Sequence, residues 1–415
     1  MLKKNFSFSM WINYLEKLKK KNRINLFDIQ YIAKKLDVLN LKTFFFTIGG
    51  TNGKGTTCFM LEKIFLDSGY KVGLYTSPHL LNFIERIRIN GLYLSELEYV
   101  NAFINVYFAK SNYSLSYFEF ITLSALFLFK HYSLDIIILE VGLGGRLDAT
   151  NIIDSDISVI TNIGIDHVSI LGSDRFSIAR EKSGIFRKNK ISVIGEKDIP
   201  YSIYEEAKKK KTILKIIDKD WYLQEYNNTW NLIHPKIQLY NLPFPHIPIL
   251  NTAIALTACF YSGFKINEKI LRYSIATLKL PGRFQVISFF PHIVLDVAHN
   301  SHAALYLSKK ISKMNIEGNI YALFSSLKDK DISSIVNLLK NQIYFWYTFL
   351  LPTNRSANFN QLKHSLPNHK TFFFNNIYSA WNKLKNRITK KDMVLVFGSF
   401  ITVSEFIFIK KRELE

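Results

Sequence analysis

The sequence predicts an α/β protein of two domains, and three observations carry that prediction. The apolar run 43–48 is joined to the helix-spaced run 58–66 by Gly50-Thr51-Asn52-Gly53-Lys54-Gly55-Thr56-Thr57. Continuous apolar runs such as 135–141 alternate with helix-spaced stretches, as when strands are buried on both faces of a parallel sheet. Pro281-Gly282 then breaks the chain, and a second alternation follows it. A chain of 415 residues also exceeds what one ordinary core organises. The expected architecture is an N-terminal phosphate-loop ATPase-type domain with a mostly parallel sheet, residues 1–280. A smaller Rossmann-like α/β domain, 281–415, completes it.

In chain order, 43–48 reads as a buried strand, 58–66 as a helix and 71–76 as a second strand ending at Ser77-Pro78-His79. Helical periodicity covers 95–110 and 117–132. Strands follow at 135–141, 156–161 and 191–194, with a helix-like stretch at 174–186. Residues 212–247 are less regular and suit a small antiparallel excursion. Helices return at 248–262 and 267–278. The second domain alternates strands at 293–297, 320–324, 344–350, 371–374 and 393–397 with helices at 301–313, 331–341, 359–365 and 376–388.

A net charge of +21 is a weak argument for nucleic acid here, and no nucleic-acid partner is expected. The lysines are scattered rather than gathered into a stripe. Abundant Lys, Ile, Asn, Phe and Tyr are also what an AT-rich coding sequence would produce, a hypothesis that the gene's base composition tests. Cys58 and Cys259 offer no disulfide or metal spacing, which fits a reducing compartment. The first residues lack a signal-peptide core, and the apolar run 120–129 is too short to span a bilayer. A cytoplasmic protein with no membrane association is expected.

The loop 50–57 is the strongest chemical signal. A glycine-rich turn between strand and helix aims backbone N–H groups at one spot, at the positive end of the helix dipole. Lys54 adds a mobile charge, and Thr56 or Thr57 adds a hydroxyl for Mg2+. Gly55 separates Lys54 from the threonine, a departure from the common phosphate-loop pattern, and the alternative is a turn without a ligand. Glu140 sits within an apolar strand, where a carboxylate needs a partner or a cation. Either Mg2+ or pairing with Arg146 satisfies that need. Asp166-His167 follows the strand 156–161 and reaches the same sheet edge. Lys182, in Arg180-Glu181-Lys182-Ser183-Gly184-Ile185-Phe186, reads by itself as a solvated helix lysine. Arg283 follows Pro281-Gly282 and could close over a phosphate or base. Asp296 could accept from a ribose hydroxyl, and His299 could contact phosphate or base.

Residues 50–57, Thr76-Ser77-Pro78-His79-Leu80, 139–151, Asp166-His167, 180–186, Pro281-Gly282-Arg283-Phe284 and 296–300 together resemble the Mur-ligase superfamily. They most resemble its bacterial dihydrofolate synthase/folylpolyglutamate synthase family, over nearly the whole chain. The resemblance implies ATP-dependent ligation of L-glutamate to 7,8-dihydropteroate and to folate tails through an acyl phosphate. It places Asn52, Gly53, Lys54, Gly55 and Thr56 on the ATP phosphates, with Asn251, Arg283, Asp296 and His299 also toward ATP. Ser77, Glu140 and His167 would hold two Mg2+ ions, with K+ a candidate further cation. Lys182 matches a lysine that is carbamylated in the superfamily, so Lys54, Lys182 and His167 are the expected catalytic residues. Ser116, Tyr117, Phe118 and Glu119 resemble a pteroate-binding segment, and Leu147, Asp148 and Ala149 line the same cleft. The alternative is that Tyr117 and Phe118 merely pack the start of their helix. An N-terminal pteroate-contacting stretch falls at Asn22-Arg23-Ile24-Asn25-Leu26, with no aspartate before Asp28. A monomer is implied. The rival functions are tail extension alone, or a nucleic-acid-stimulated ATPase.

Overall fold

The computed structural model describes residues 3–18 and 26–413. The chain divides into two compact units, Met1–Leu278 and Lys279–Glu415.

The first unit is built on eight strands: β1 (Phe44–Gly49), β2 (Val72–Tyr75), β3 (Ile87–Ile89), β4 (Leu92–Tyr93), β5 (Ile136–Glu140), β6 (Ile157–Ile160), β7 (Ile191–Ile194) and β8 (Ile213–Ile216). Their order is β4-β3-β2-β5-β1-β6-β7-β8. All neighbours from β2 to β8 are parallel, and β3 and β4 add an antiparallel edge. The central strands are apolar throughout because both faces are covered, and every residue of β5 is buried. On one face pack the helices Phe8–Glu16, Phe27–Lys35, Glu96–Lys110 and Tyr117–Lys130, around Trp11, Phe103 and Phe120. The helix Glu96–Lys110 starts at a capping box in which Ser95 and Glu98 each bond the other's backbone N–H. The sheet β9 (Tyr222–Glu225), β10 (Trp230–His234) and β11 (Ile237–Leu242) is antiparallel, the expected excursion. It is smaller than read from sequence, because β8 joins the main sheet beside β7.

The second unit holds β12 (Gln285–Phe289), β13 (His292–Asp296), β14 (Ile320–Phe324), β15 (Phe345–Phe349), β16 (Thr371–Phe374) and β17 (Met393–Phe397). Their order is β12-β13-β17-β14-β15-β16, parallel except for β12. The fold class is therefore the expected one, a large mostly parallel N-terminal sheet and a separate C-terminal α/β unit.

Several elements escape the sequence reading. The helices Phe8–Glu16, Phe27–Lys35, Tyr201–Lys210 and Phe400–Arg412 are found, as are β3, β4 and β12. The helix read at 58–66 begins at Lys54, inside the glycine-rich loop. Among the described residues no helix is long and apolar enough to cross a membrane.

Candidate active site

Parallel strands deliver their following loops to one sheet edge. Four neighbours, β2, β5, β1 and β6, do so with the segments after Tyr75, Glu140, Gly49 and Ile160. The glycine-rich loop therefore lies between the Glu140 strand and the Asp166-His167 segment.

The loop is fixed by its neighbours. Asn52 N donates to Asn162 Oδ1 at 3.0 Å, and Asn162 Nδ2 returns a bond to Asn52 O at 2.9 Å. Thr161 Oγ1 also donates to Asn52 O, at 2.6 Å. Thr51 Oγ1 accepts from Gly164 N at 2.9 Å. Gly50 has φ +141°, and a Cβ there would lie 1.9 Å from Thr161 Oγ1. Gly50→Ala should therefore lower unfolding free energy by about 2–4 kcal/mol. Urea denaturation checks this, and a loss below about 0.5 kcal/mol would contradict the packing argument.

Gly53, at φ +80°, caps the helix Lys54–Asp67, whose first N–H groups lack intrahelical acceptors. The approach of Asn251 is why glycine is needed: a Cβ on Gly53 would lie 2.1 Å from Asn251 Nδ2. Asn251 Nδ2 donates to Gly53 O and Thr57 Oγ1, each at 3.2 Å. Thr57 Oγ1 is thereby engaged as an acceptor, and Thr56 beside it is buried. Gly55 stands against Glu140, with its added Cβ 3.2 Å from Oε2.

Lys54 Nζ folds back to Gly50 O at 3.1 Å and Thr51 O at 3.2 Å. Lys182 Nζ reaches the same Gly50 O at 2.9 Å. Lys182 is buried, not solvated, because it shares a helix face with Ile178 and Ala179. Burial first, and the Lys54 charge second, lower its pKa from 10.5 to about 7, against the opposing pull of Asp166.

Glu140 is buried and its Oε2 accepts from Ser77 N at 2.9 Å. Arg146 turns away and pairs with Glu181 at 2.7 Å. His167 adopts φ 52°, and its N–H donates to Asp166 Oδ1 at 2.8 Å. Among the described residues no group of three His, Cys, Asp or Glu is placed to hold a metal ion. A buried carboxylate beside a glycine-rich loop nevertheless fits Mg2+, which is held by few protein groups and completes its shell with water and phosphate.

The segment Ser116–Glu119, expected at the pteroate, carries structural duties. Ser116 and Glu119 form a capping box, with Ser116 N donating to Glu119 Oε2 at 2.7 Å and Glu119 N to Ser116 Oγ at 3.3 Å. Phe118 packs over the loop after Glu140, where a Cβ on Gly142 would meet its ring at 2.5 Å. Asp148 Oδ1 accepts from Thr150 N and Oγ1, and Oδ2 from Leu143 N at 2.9 Å. Burial nevertheless raises its pKa. Ala149 is buried and Leu147 half-buried beside it. Tyr117 is half-buried, with the Arg86 guanidinium carbon 5.6 Å from its ring centroid. The proposed N-terminal contacts at 22–25 lie outside the described residues, and Asp28 is in the first turn of Phe27–Lys35.

In the second unit, Asp296 accepts from Phe284 N and Ala298 N, both at 2.8 Å. Burial raises its pKa while Arg283 opposes the rise. Arg283 lies over the Phe400 ring at 5.0 Å, and His299 Nδ1 meets Val297 O at 2.9 Å. Sequence reasoning missed Asn162, although it lies in the same strand-following segment as Asp166, and it missed Arg86.

Two family models match the chain, the Mur ligase middle domain over residues 48–230 and the Mur ligase glutamate ligase domain over 282–400. The dihydrofolate synthase/folylpolyglutamate synthase of Buchnera aphidicola subsp. Schizaphis graminum is 63% identical, covering 100% of this chain and 99% of its own. That of Escherichia coli is 43% identical over 95% of this chain and 93% of its own. The solved E. coli FolC in complex with DHPP and ADP superposes with a TM-score of 0.96 at 41% identity, covering 99% of each chain. A bifunctional folylpolyglutamate synthase/dihydrofolate synthase with Mn, AMPPNP and L-glutamate bound gives 0.94 at 42% identity, covering 98% of this chain and 99% of its own.

Proposed function

The chain belongs to the dihydrofolate synthase/folylpolyglutamate synthase family of Mur ligases, and from that premise we propose how its residues divide the work. It is an ATP-dependent amide-forming ligase that joins L-glutamate to dihydropteroate and to folates, using ATP and a divalent metal. Both reactions join a carboxylate to the same amine, so one nucleotide site serves both. The substrate carboxylate takes the γ-phosphoryl group, and the amine then displaces phosphate from the acyl phosphate.

The meeting of Lys54 and Lys182 on Gly50 O carries the assignment of this site. Both acid and nucleotide are anionic, so positive charge must offset their repulsion before attack. Asn52, Gly53, Gly55 and Thr56 cradle the phosphates and Lys54 supplies charge, with Asn251 bracing the loop. Arg283, Asp296 and His299 are assigned to ATP by motif match. Ser77, Glu140 and His167 would hold two Mg2+ ions, which when bound would withdraw charge from the phosphoryl oxygens. K+ is the candidate further cation.

Lys182 carries a carbamate in this reading. Its neutral amine adds to CO2, a C–N bond forms and a proton leaves, giving a carboxylate beside the loop. The lowered pKa supports this, because it makes the unprotonated amine available near neutral pH, where an ordinary lysine is charged. We also assign a monomer in the cytoplasm without a nucleic-acid partner.

Purified protein with ATP and labelled glutamate should glutamylate both 7,8-dihydropteroate and a tetrahydrofolate. Use of tetrahydrofolate alone would leave tail extension only. Polynucleotide-stimulated hydrolysis without glutamate would favour the ATPase. Tyr117→Ala should raise KM for dihydropteroate about tenfold and for tetrahydrofolate less, because the shorter acid relies more on ring contacts. Equal effects on both acids would remove Tyr117 from the pterin site.

A further inference from the structure

Arg86 ends the short turn Phe83–Arg86 and is only 7% exposed. Its Nε donates to His79 Nδ1 at 2.9 Å. Its guanidinium carbon lies 5.6 Å from the Tyr117 ring centroid and 5.5 Å from that of Phe83. The adjacent acid, Glu85, is engaged by the N–H groups of Leu80, Leu81 and Asn82 at 2.7–2.9 Å. Among the described residues no carboxylate pairs with Arg86, whereas Arg88, two residues on, has Glu62 at 3.2 Å. Withdrawing a guanidinium from water without a counter-charge is costly, and ring contacts offset only part of that cost.

The backbone of Arg86 lies against the segment that leads into Ser77. Thr76 N donates to Arg86 O at 2.9 Å, and the next residue, Ser77, donates to Glu140 Oε2 at 2.9 Å. Tyr117, beside the guanidinium, opens the helix of the pteroate segment. A planar, permanently charged fork matches a carboxylate's two oxygens.

We propose that Arg86 receives the carboxylate of the acid substrate and that His79 positions it. The proposal rests on the ligase reading and adds to it the group that recognises the acid. His79 fixes Nε, so the two terminal nitrogens are turned toward the incoming carboxylate. His79 is a positioning residue and needs no contact with substrate.

The test is calorimetric titration of ADP-saturated protein with 7,8-dihydropteroate and with its carboxamide. Wild type should bind the acid tighter by about tenfold to a hundredfold, the range for a charge-assisted bond. Arg86→Gln should bind both compounds alike, and Arg86→Lys should keep part of the preference. His79→Leu should lose most of it, while His79→Asn, which retains an acceptor, should restore it. A folded Arg86→Gln with the wild-type preference overturns the proposal. If Arg86→Gln does not fold, an unchanged preference in His79→Leu overturns the positioning scheme on its own. Wild type that glutamylates neither acid overturns the ligase reading and this inference with it. Active wild type with an unaltered Arg86→Gln preference overturns the inference alone.

Discussion

Lys54→Ala is expected to reduce kcat/KM for glutamate ligation by about a thousandfold or more, roughly 4 kcal/mol of transition-state stabilisation. Its ammonium donates to backbone oxygens, Gly50 O and Thr51 O, and pairs with no carboxylate among the described residues, so the fold has little to lose. In the proposed site the ATP phosphates would lose the loop's lysine charge. A second consequence follows from the shared carbonyl. Lys54 is one of the causes that lower the Lys182 pKa, so its removal should raise that pKa above about 7. The variant should then need higher pH to form the carbamate. Thermal melting, nucleotide titration and ligase assay on one preparation test this. A normal melt with full activity would sink the phosphate-loop assignment.

The parts of this site that are legible in sequence are those set by local patterning. The apolar runs of β1, β5 and β6 predict buried parallel strands, and residues that interrupt or follow them, such as Glu140 and Asp166, arrive at one edge. Arg86 was not legible, because its meaning depends on which acids fail to reach it across the fold. Ser116-x-x-Glu119 bears a capping signature that is readable in sequence, and the structure shows both side chains used that way. Lys182 looked solvated in a polar helix. Its spacing four residues after Ile178 puts it on the buried face, a signal present but weak in so short a helix. Phe400–Arg412 was missed because aromatic and β-branched residues obscure its period.

Lys182→Ala should be nearly inactive and partly restored by short carboxylic acids, which can occupy the space of the missing carbamate. The ordinary lysine pKa of 10.5 falls to about 7 here, chiefly through burial. Between those values the unfolded chain holds a proton that the native chain lacks, so in CO2-free buffer stability rises with pH across that window. Below about pH 7 the native amine is charged too, and its desolvation cost is fully present. Lys182→Met removes both the slope and the cost, and should melt higher than wild type at pH 6. Activity follows the same group with a different readout. At pH 6, below that value, the amine is mostly protonated, so CO2 depletion should lower activity there and bicarbonate should restore it slowly. The carbamate should also be visible by intact-mass spectrometry under bicarbonate. Normal turnover by Lys182→Ala, or a mass unchanged under bicarbonate at pH 8, would remove the carbamate from this mechanism and leave Lys182 as a brace for the Gly50 carbonyl.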